Sequence, residues 1–154
     1  MVVGIIKTNK GDIRIALYPD MAPITVANFL KLVKSAFYKG LTFHRYVPNF
    51  VIQGGDPKGD GTGGPGWTIK DEHDNGLTHI EGALAMARSN RPNSAGSQFY
   101  LTLAPAHQLD NQYTVFGRVT QGMDVVKKLR AGDVMNEITI VSEGKKPKEE
   151  KGEK

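Results

Sequence analysis

The sequence contains no cysteine, which excludes disulfides, thiolate nucleophiles, iron–sulfur clusters and cysteine-bound zinc together. Any chemistry must come from other side chains, and a reducing compartment is a natural setting. Long apolar runs are also missing, and none approaches the length of a membrane span. The start, Met1-Val2-Val3-Gly4-Ile5-Ile6-Lys7, lacks the basic stretch and apolar run of a secretory signal. These absences set the expectation of a cytoplasmic protein with no membrane contact. The four histidines, His44, His73, His79 and His107, follow no metal-ligand spacing, so neither a metal nor a cofactor is expected.

What is present fits one globular domain: 154 residues, 39% hydrophobic and 23% charged, enough apolar material for a single core. The 18 glycines and 8 prolines are more punctuation than a helical bundle tolerates and favour short strands with ordered loops. The formal charge is +4, with much of the excess in the last ten residues, Lys145 to Lys154. A mixed-sign segment without apolar residues reads as a solvated end. The expected organisation is therefore a folded domain over 1–143 and a charged, disordered tail over 144–154. No aromatic residues interleave with these basic ones as a stacking surface requires, so nucleic acid is not an expected partner.

Val3 and Ile5, then Ile13, Ile15 and Leu17, alternate with polar residues on either side of Asn9-Lys10-Gly11-Asp12, which predicts a hairpin over 2–8 and 12–18. Pro23 suits a helix's first turn. Val26, Phe29, Leu30 and Val33 recur at the helical period, giving a helix over 23–36. Strand-length runs follow at 43–47, 51–53, 84–87, 98–103 and 114–119, then a helix over 123–130 and a last strand at 138–141. Many strands with only two helices suggest a closed or nearly closed barrel. The segment 54–66, about half glycine, must be a loop.

Two tempting motifs fail. Gly59-Asp60-Gly61-Thr62-Gly63-Gly64 matches the dinucleotide pattern G-x-G-x-x-G, but Pro65-Gly66 follows where a helix start would have to hold the pyrophosphate. Ser94 and Ser97 lack the G-x-S-x-G elbow and any identifiable base. There remains the stretch from Phe43 to Asp56, where Arg45 and Gln53 sit within otherwise apolar strand sequence. If the chain is pleated, Arg45 can share a face with Gln53 across a turn at Pro48-Asn49, with Phe50 beside them. Taken alone, the stretch leaves two readings open. One is a surface ion pair for Arg45 and loop hydrogen bonding for Gln53, the commoner use of such residues; the other is a functional cluster.

The run Phe43-His44-Arg45 followed by Phe50-Val51-Ile52-Gln53-Gly54-Gly55-Asp56 resembles the signature of the cyclophilins, the prolyl isomerases whose pattern is F-H-R, a turn, then F-x-x-Q-G-G-D. Met86-Ala87 followed by Asn93-Ser94-Ala95-Gly96-Ser97-Gln98-Phe99-Tyr100 is similar to a second family block. Leu109-Asp110 followed by Val115-Phe116-Gly117-Arg118-Val119 is similar to a third. The blocks occur in family order, and their flanks fit residues 1–142.

The resemblance implies a closed eight-stranded antiparallel β-barrel capped by two α-helices. It implies peptidyl-prolyl cis/trans isomerase activity without a cofactor, acting on proline-containing peptides and folding chains, by a monomer. By position, it makes Arg45 the catalytic arginine and Gln53 and Gln98 the groups that hold substrate backbone. It puts Phe50, Val51, Tyr100 and Leu109 in the proline pocket, and Ala87, Arg88 and Ser89 where the residues before proline bind. Gly61 falls on the loop beside the groove, and Gln108 and Tyr113 on its rim. Val51 stands where methionine is usual, Tyr100 where phenylalanine is, Tyr113 where histidine is common, and Arg88-Ser89 where Asn-Ala is typical. One extra residue near Asn90-Arg91 leaves the alignment of Arg88 to Arg91 open. Gln108 replaces a frequent tryptophan that helps bind cyclosporin, which implies weak cyclosporin binding. The rival reading is a non-catalytic proline-binding or chaperone-like module using the same groove.

Overall fold

The computed structural model describes residues 1–142, and the tail expected from residue 144 onward lies outside them. Strands β1 (Val2–Thr8) and β2 (Gly11–Leu17) pair antiparallel, with Val2 opposite Leu17 and Thr8 opposite Gly11. Every second residue of β1 is buried, the period imposed on a pleated strand with one covered face. Helix α1 (Pro23–Lys34) opens on a proline, whose missing N–H costs nothing in the first turn. No residue of its own caps it. Glu72, from a distant loop, accepts hydrogen bonds from the backbone N–H of Ile24 (3.2 Å) and Thr25 (2.7 Å) and from the Thr25 hydroxyl (2.7 Å). That carboxylate satisfies otherwise orphaned donors and complements the positive end of the helix.

The remaining strands are β3 (Phe43–Val47), β4 (Val51–Gly54), β5 (Ala83–Met86), β6 (Phe99–Thr102), β7 (Val115–Gln121) and β8 (Met135–Ser142). All pairings are antiparallel, in the order β3-β4-β6-β5-β7-β2-β1-β8. Helix α2 (Met123–Lys128) ends two residues earlier than the sequence pattern predicts. Leu129 turns extended, and the Arg130 N–H is taken by Asp133 Oδ2 at 2.7 Å. Among the described residues no helix is long and apolar enough to cross a membrane.

The expected closure of the barrel needs correction: the eight strands form an open, curled sheet whose edge strands β3 and β8 do not pair as a ladder. The edges meet at one point. The segment before β8 bridges the entry to β3 at Thr42 and Val134, with Phe43 N–H donating to Asp133 O and Gly132 N–H to Phe43 O, both at 2.8 Å. Past that bridge β3 follows β4 and β8 follows β1. The outer side of β8 is left facing a groove shared with Val33 and Lys34 of α1.

Inside the curl lies the main core. Phe29 of α1 packs against Tyr38, Phe99 and Phe116 at centroid distances of 5.3 to 5.8 Å in tilted or edge-on contacts, the arrangement ring quadrupoles favour. Tyr38 is buried, and its hydroxyl donates to Ser97 O at 2.8 Å. A second, smaller apolar cluster of Val51, Ala83, Ala85, Tyr100 and Val115 lies on the opposite face of β4, β6, β5 and β7.

Candidate functional site

The β3–β4 hairpin sets Arg45 directly opposite Gln53, with Asn49 in the left-handed region (φ 61°) at its turn, where asparagine is among the tolerated residues. Arg45 Nη1 donates to Gln53 Oε1 at 3.3 Å, and Gln53 Nε2 donates to Gln98 Oε1 at 3.0 Å. Gln98 Nε2 in turn gives its hydrogens to two loop carbonyls, Gly61 O at 3.0 Å and Gly63 O at 2.9 Å. Each amide therefore has a fixed sense, and the three residues form a directional chain from the glycine-rich loop to an exposed guanidinium.

The glycine pair Gly54-Gly55 after Gln53 has a packing reason. Gly55 adopts φ 91°, and a Cβ there would stand 2.7 Å from Ser97 O. No side chain fits where β4 passes the segment leading into β6.

Beside the polar chain a cavity of about 360 Å³ opens onto the outer face of the sheet. Phe50, Val51, Tyr100, Leu109 and Tyr113 supply its apolar lining, and Arg45 and Gln53 its polar edge. The floor is braced from beneath. The Tyr100 hydroxyl lies 2.8 Å from His79 Nε2, and His79 Nδ1 lies 2.9 Å from Asp110 Oδ1. Burial pulls the His79 pKa below its ordinary value, and the hydrogen bond and charge of Asp110 offset this only in part. A neutral imidazole with its proton on Nδ1 satisfies both neighbours, receiving the Tyr100 hydrogen on Nε2. Asp110 also anchors the short 3-10 turn His107–Leu109 by accepting from His107 Nδ1 at 2.9 Å, so floor and wall share one brace.

A second cavity, also about 360 Å³, adjoins the first and shares Gln53, Gly61, Ala87 and Arg88 with it. Arg88 stands between the two as a strut. Its Nε and Nη2 donate to Gln112 O at 3.2 and 2.8 Å, and its Nη1 donates to Ser89 O and Arg91 O at 3.2 and 3.1 Å. The guanidinium carbon lies 5.3 Å from the Tyr113 ring centroid.

The sequence-derived candidates thus converge, with two distinctions. Gln98 and Ser89 line the second cavity and not the first, and Gln108, exposed on the 3-10 turn, lines neither. His44 and Asp60 line the first cavity and were not singled out by the sequence. Strict alternation would point His44 away from Arg45, but the β3–β4 register shifts between Phe43 and Arg45, so neighbouring side chains both reach the groove. An apolar slot with a fixed cationic donor at its lip is suited to holding a compact apolar ring while polar groups grip the adjoining backbone.

Residues 3–149 match the family model described as cyclophilin type peptidyl-prolyl cis-trans isomerase/CLD. The chain is 51% identical over 129 residues to peptidyl-prolyl cis-trans isomerase B of Bacillus subtilis (strain 168), covering 83% of this chain and 90% of that protein. It is 45% identical over 146 residues to a peptidyl-prolyl cis-trans isomerase of Synechococcus elongatus, covering 93% and 99% respectively. Among solved structures, a Cryptosporidium parvum cyclophilin-type isomerase crystallised in the presence of the dipeptide Ala-Pro superposes with a TM-score of 0.85 at 33% identity, over 91% of this chain and 99% of that one.

Proposed function

The chain belongs to the cyclophilin-type peptidyl-prolyl cis-trans isomerase family and catalyses rotation about the peptide bond before proline; we propose that Arg45 is the residue that lowers its barrier. Amide resonance sets that barrier at roughly 18–20 kcal/mol, and unassisted prolyl isomerisation takes tens to hundreds of seconds. No covalent bond needs to break. The protein has only to bind the twisted amide better than either planar form.

As the bond twists, the proline nitrogen becomes pyramidal and regains a lone pair. A guanidinium N–H fixed over the pocket can donate to that lone pair, a charge-assisted contact that the planar amide does not offer. The observation that carries this reading is the chain from Arg45 through Gln53 to Gln98, which holds the guanidinium at the lip of the apolar cavity. Phe50, Val51, Tyr100 and Leu109 hold the ring and Tyr113 flanks it, with Gln108 on the outer rim beyond the cavity. Gln53, with an N–H to spare, and Gln98, with a carbonyl lone pair to spare, grip the flanking substrate backbone. Ala87, Arg88, Ser89 and Gly61 contact the residues before proline. The Ala-Pro dipeptide named with the C. parvum structure supports proline-containing peptides and folding chains as substrates.

The enzyme is proposed to act as a monomer in the cytoplasm and to bind cyclosporin weakly, because Gln108 offers no indole N–H. A nanomolar inhibition constant would contradict the cyclosporin statement. The central test is the cis-to-trans rate of an Ala-Pro-Phe peptide with wild type, Arg45→Ala and Arg45→Lys at equal folded concentration. A loss of about a hundredfold or more in Arg45→Ala is expected, with little recovery by lysine, which lacks the planar donor fork. Undiminished turnover by Arg45→Ala would remove Arg45 from the chemistry.

A further inference from the structure

The polar chain that ends on Arg45 does not begin at Gln98. Gln98 is oriented by the carbonyls of Gly61 and Gly63, and those carbonyls belong to a loop with no strand or helix to fix it. What gathers the loop is Asp56. This side chain is 1% exposed. Its Oδ1 accepts from Lys58 N–H at 2.8 Å, and its Oδ2 from Asp60 N–H at 3.1 Å and Gly61 N–H at 2.5 Å. Gly63 packs against the same carboxylate, and a Cβ built on it would overlap Asp56 Oδ1. The loop is therefore wrapped around one buried carboxylate, with its amides turned in and the carbonyls of Gly61 and Gly63 turned out to Gln98.

Taking the Arg45–Gln53–Gln98 chain as catalytic, we propose that Asp56 is a positioning residue of the isomerase, acting through the loop carbonyls to set Gln98, then Gln53, then the guanidinium. A carboxylate, all acceptor, suits the converging backbone amides of Lys58, Asp60, Gly61 and Gly63. An asparagine in its place must turn an NH₂ toward some of them, leaving donors facing donors. The loop would then lose its fixed wrap, and Gln98 would be free to flip its amide. With the sense of the relay lost, the guanidinium would spend less time at the productive position. The ring contacts in the apolar pocket do not involve this route, whereas Gln98, Gln53 and Gly61 also meet the substrate backbone, so KM should rise, but by less than kcat falls.

The experiment is a kcat and KM series on the full chain with a proline peptide, comparing wild type, Asp56→Asn, Gln98→Ala and the double variant, with near-UV circular dichroism to verify the fold. Gly63→Ala serves as a second probe, because it displaces the Asp56 carboxylate while keeping Asp56, Gln98 and the Gly63 carbonyl. The expected result is a kcat lower by about ten- to a hundredfold in Asp56→Asn and in Gly63→Ala, with KM raised by no more than a few-fold. The double variant should turn over no more slowly than Gln98→Ala alone, since residues acting in series do not add.

If Gln98→Ala is impaired while Asp56→Asn and Gly63→Ala keep wild-type kcat, the Asp56 proposal falls and the catalytic chain stands. A double variant slower than Gln98→Ala by the full Asp56→Asn factor also overturns it. If Gln98→Ala itself turns over normally, the reading of the chain fails and the proposal fails with it.

Discussion

Strands β4, β6, β5 and β7 bury apolar side chains on both faces, yet the two faces are finished differently. On the inner face Ile52, Leu84, Phe99, Leu101 and Phe116 have no exposed surface and meet α1 and the rest of the curl. On the outer face the alternate residues Val51, Ala83, Ala85, Tyr100 and Val115 are covered by loop residues such as Leu77, Leu109 and Tyr113, and space for a ligand remains. Strand β5 shows the contrast within one segment: Leu84 and Met86 point inward, Ala83 and Ala85 outward. A large residue facing a helix fills space, whereas a small one facing loops leaves a slot. Period-two alternation thus builds both a core and a pocket, and what lies opposite decides which is which.

This contrast predicts that damage to the inner face acts on stability and damage to the outer face on catalysis. The largest stability effect belongs to Phe116→Ala, which should cost about 3–5 kcal/mol of unfolding free energy in a urea titration. The kcat/KM per folded molecule should stay near wild type. A catalytic loss at full foldedness would break the division between the faces.

Burial tends to raise the Asp56 pKa, but the backbone hydrogen bonds from Lys58, Gly63, Gly61 and Asp60 outweigh it and bring it from the usual 3.8 to about 2. A carboxylate with a lowered folded-state pKa contributes stability that is present above its unfolded pKa and lost as pH falls through the folded one. The advantage of wild type over Asp56→Asn should therefore be on the order of 2 kcal/mol at neutral pH. It should shrink between about pH 4 and about pH 2, as read by urea unfolding at each pH. A pH-independent gap would contradict the ionised carboxylate at the root of the loop.

The smallest stability change is expected for Leu109→Ala, where a half-buried side chain on the outer wall costs roughly 1 kcal/mol. KM for a proline peptide should rise severalfold with kcat nearly held, since the pocket grips the ring equally in the planar and twisted amide. A fall in kcat with unchanged KM would show that Leu109 acts on the twisted amide specifically.

Much of this architecture is legible in the sequence because its cause is local. The alternation in Val2–Thr8 and Gly11–Leu17 marks the first hairpin, Pro23 with Val26 and Phe29 marks α1, and the facing of Arg45 and Gln53 follows from pleating about Pro48-Asn49. What is not legible depends on partners distant in the chain. The register shift beside His44 arises from pairing and not from composition, so His44 reads as facing away from the groove. The glycine-rich segment reads as a loop, but its carbonyls find Gln98 only once the chain has folded. The closed barrel is an over-extension of a sound strand count, because strands do not declare which edges will diverge.

The proposed mechanism requires Arg45 to bind the twisted amide in preference to the planar one. The most direct measurement is two-dimensional exchange NMR on an Ala-Pro peptide saturating wild type and Arg45→Ala, giving the on-enzyme cis/trans rate, with Kd from the same titration. Differential binding predicts that Arg45→Ala slows on-enzyme exchange by about a hundredfold or more while Kd moves by only a few-fold. A rate that survives the substitution, or a Kd that weakens as much as the rate falls, would contradict it.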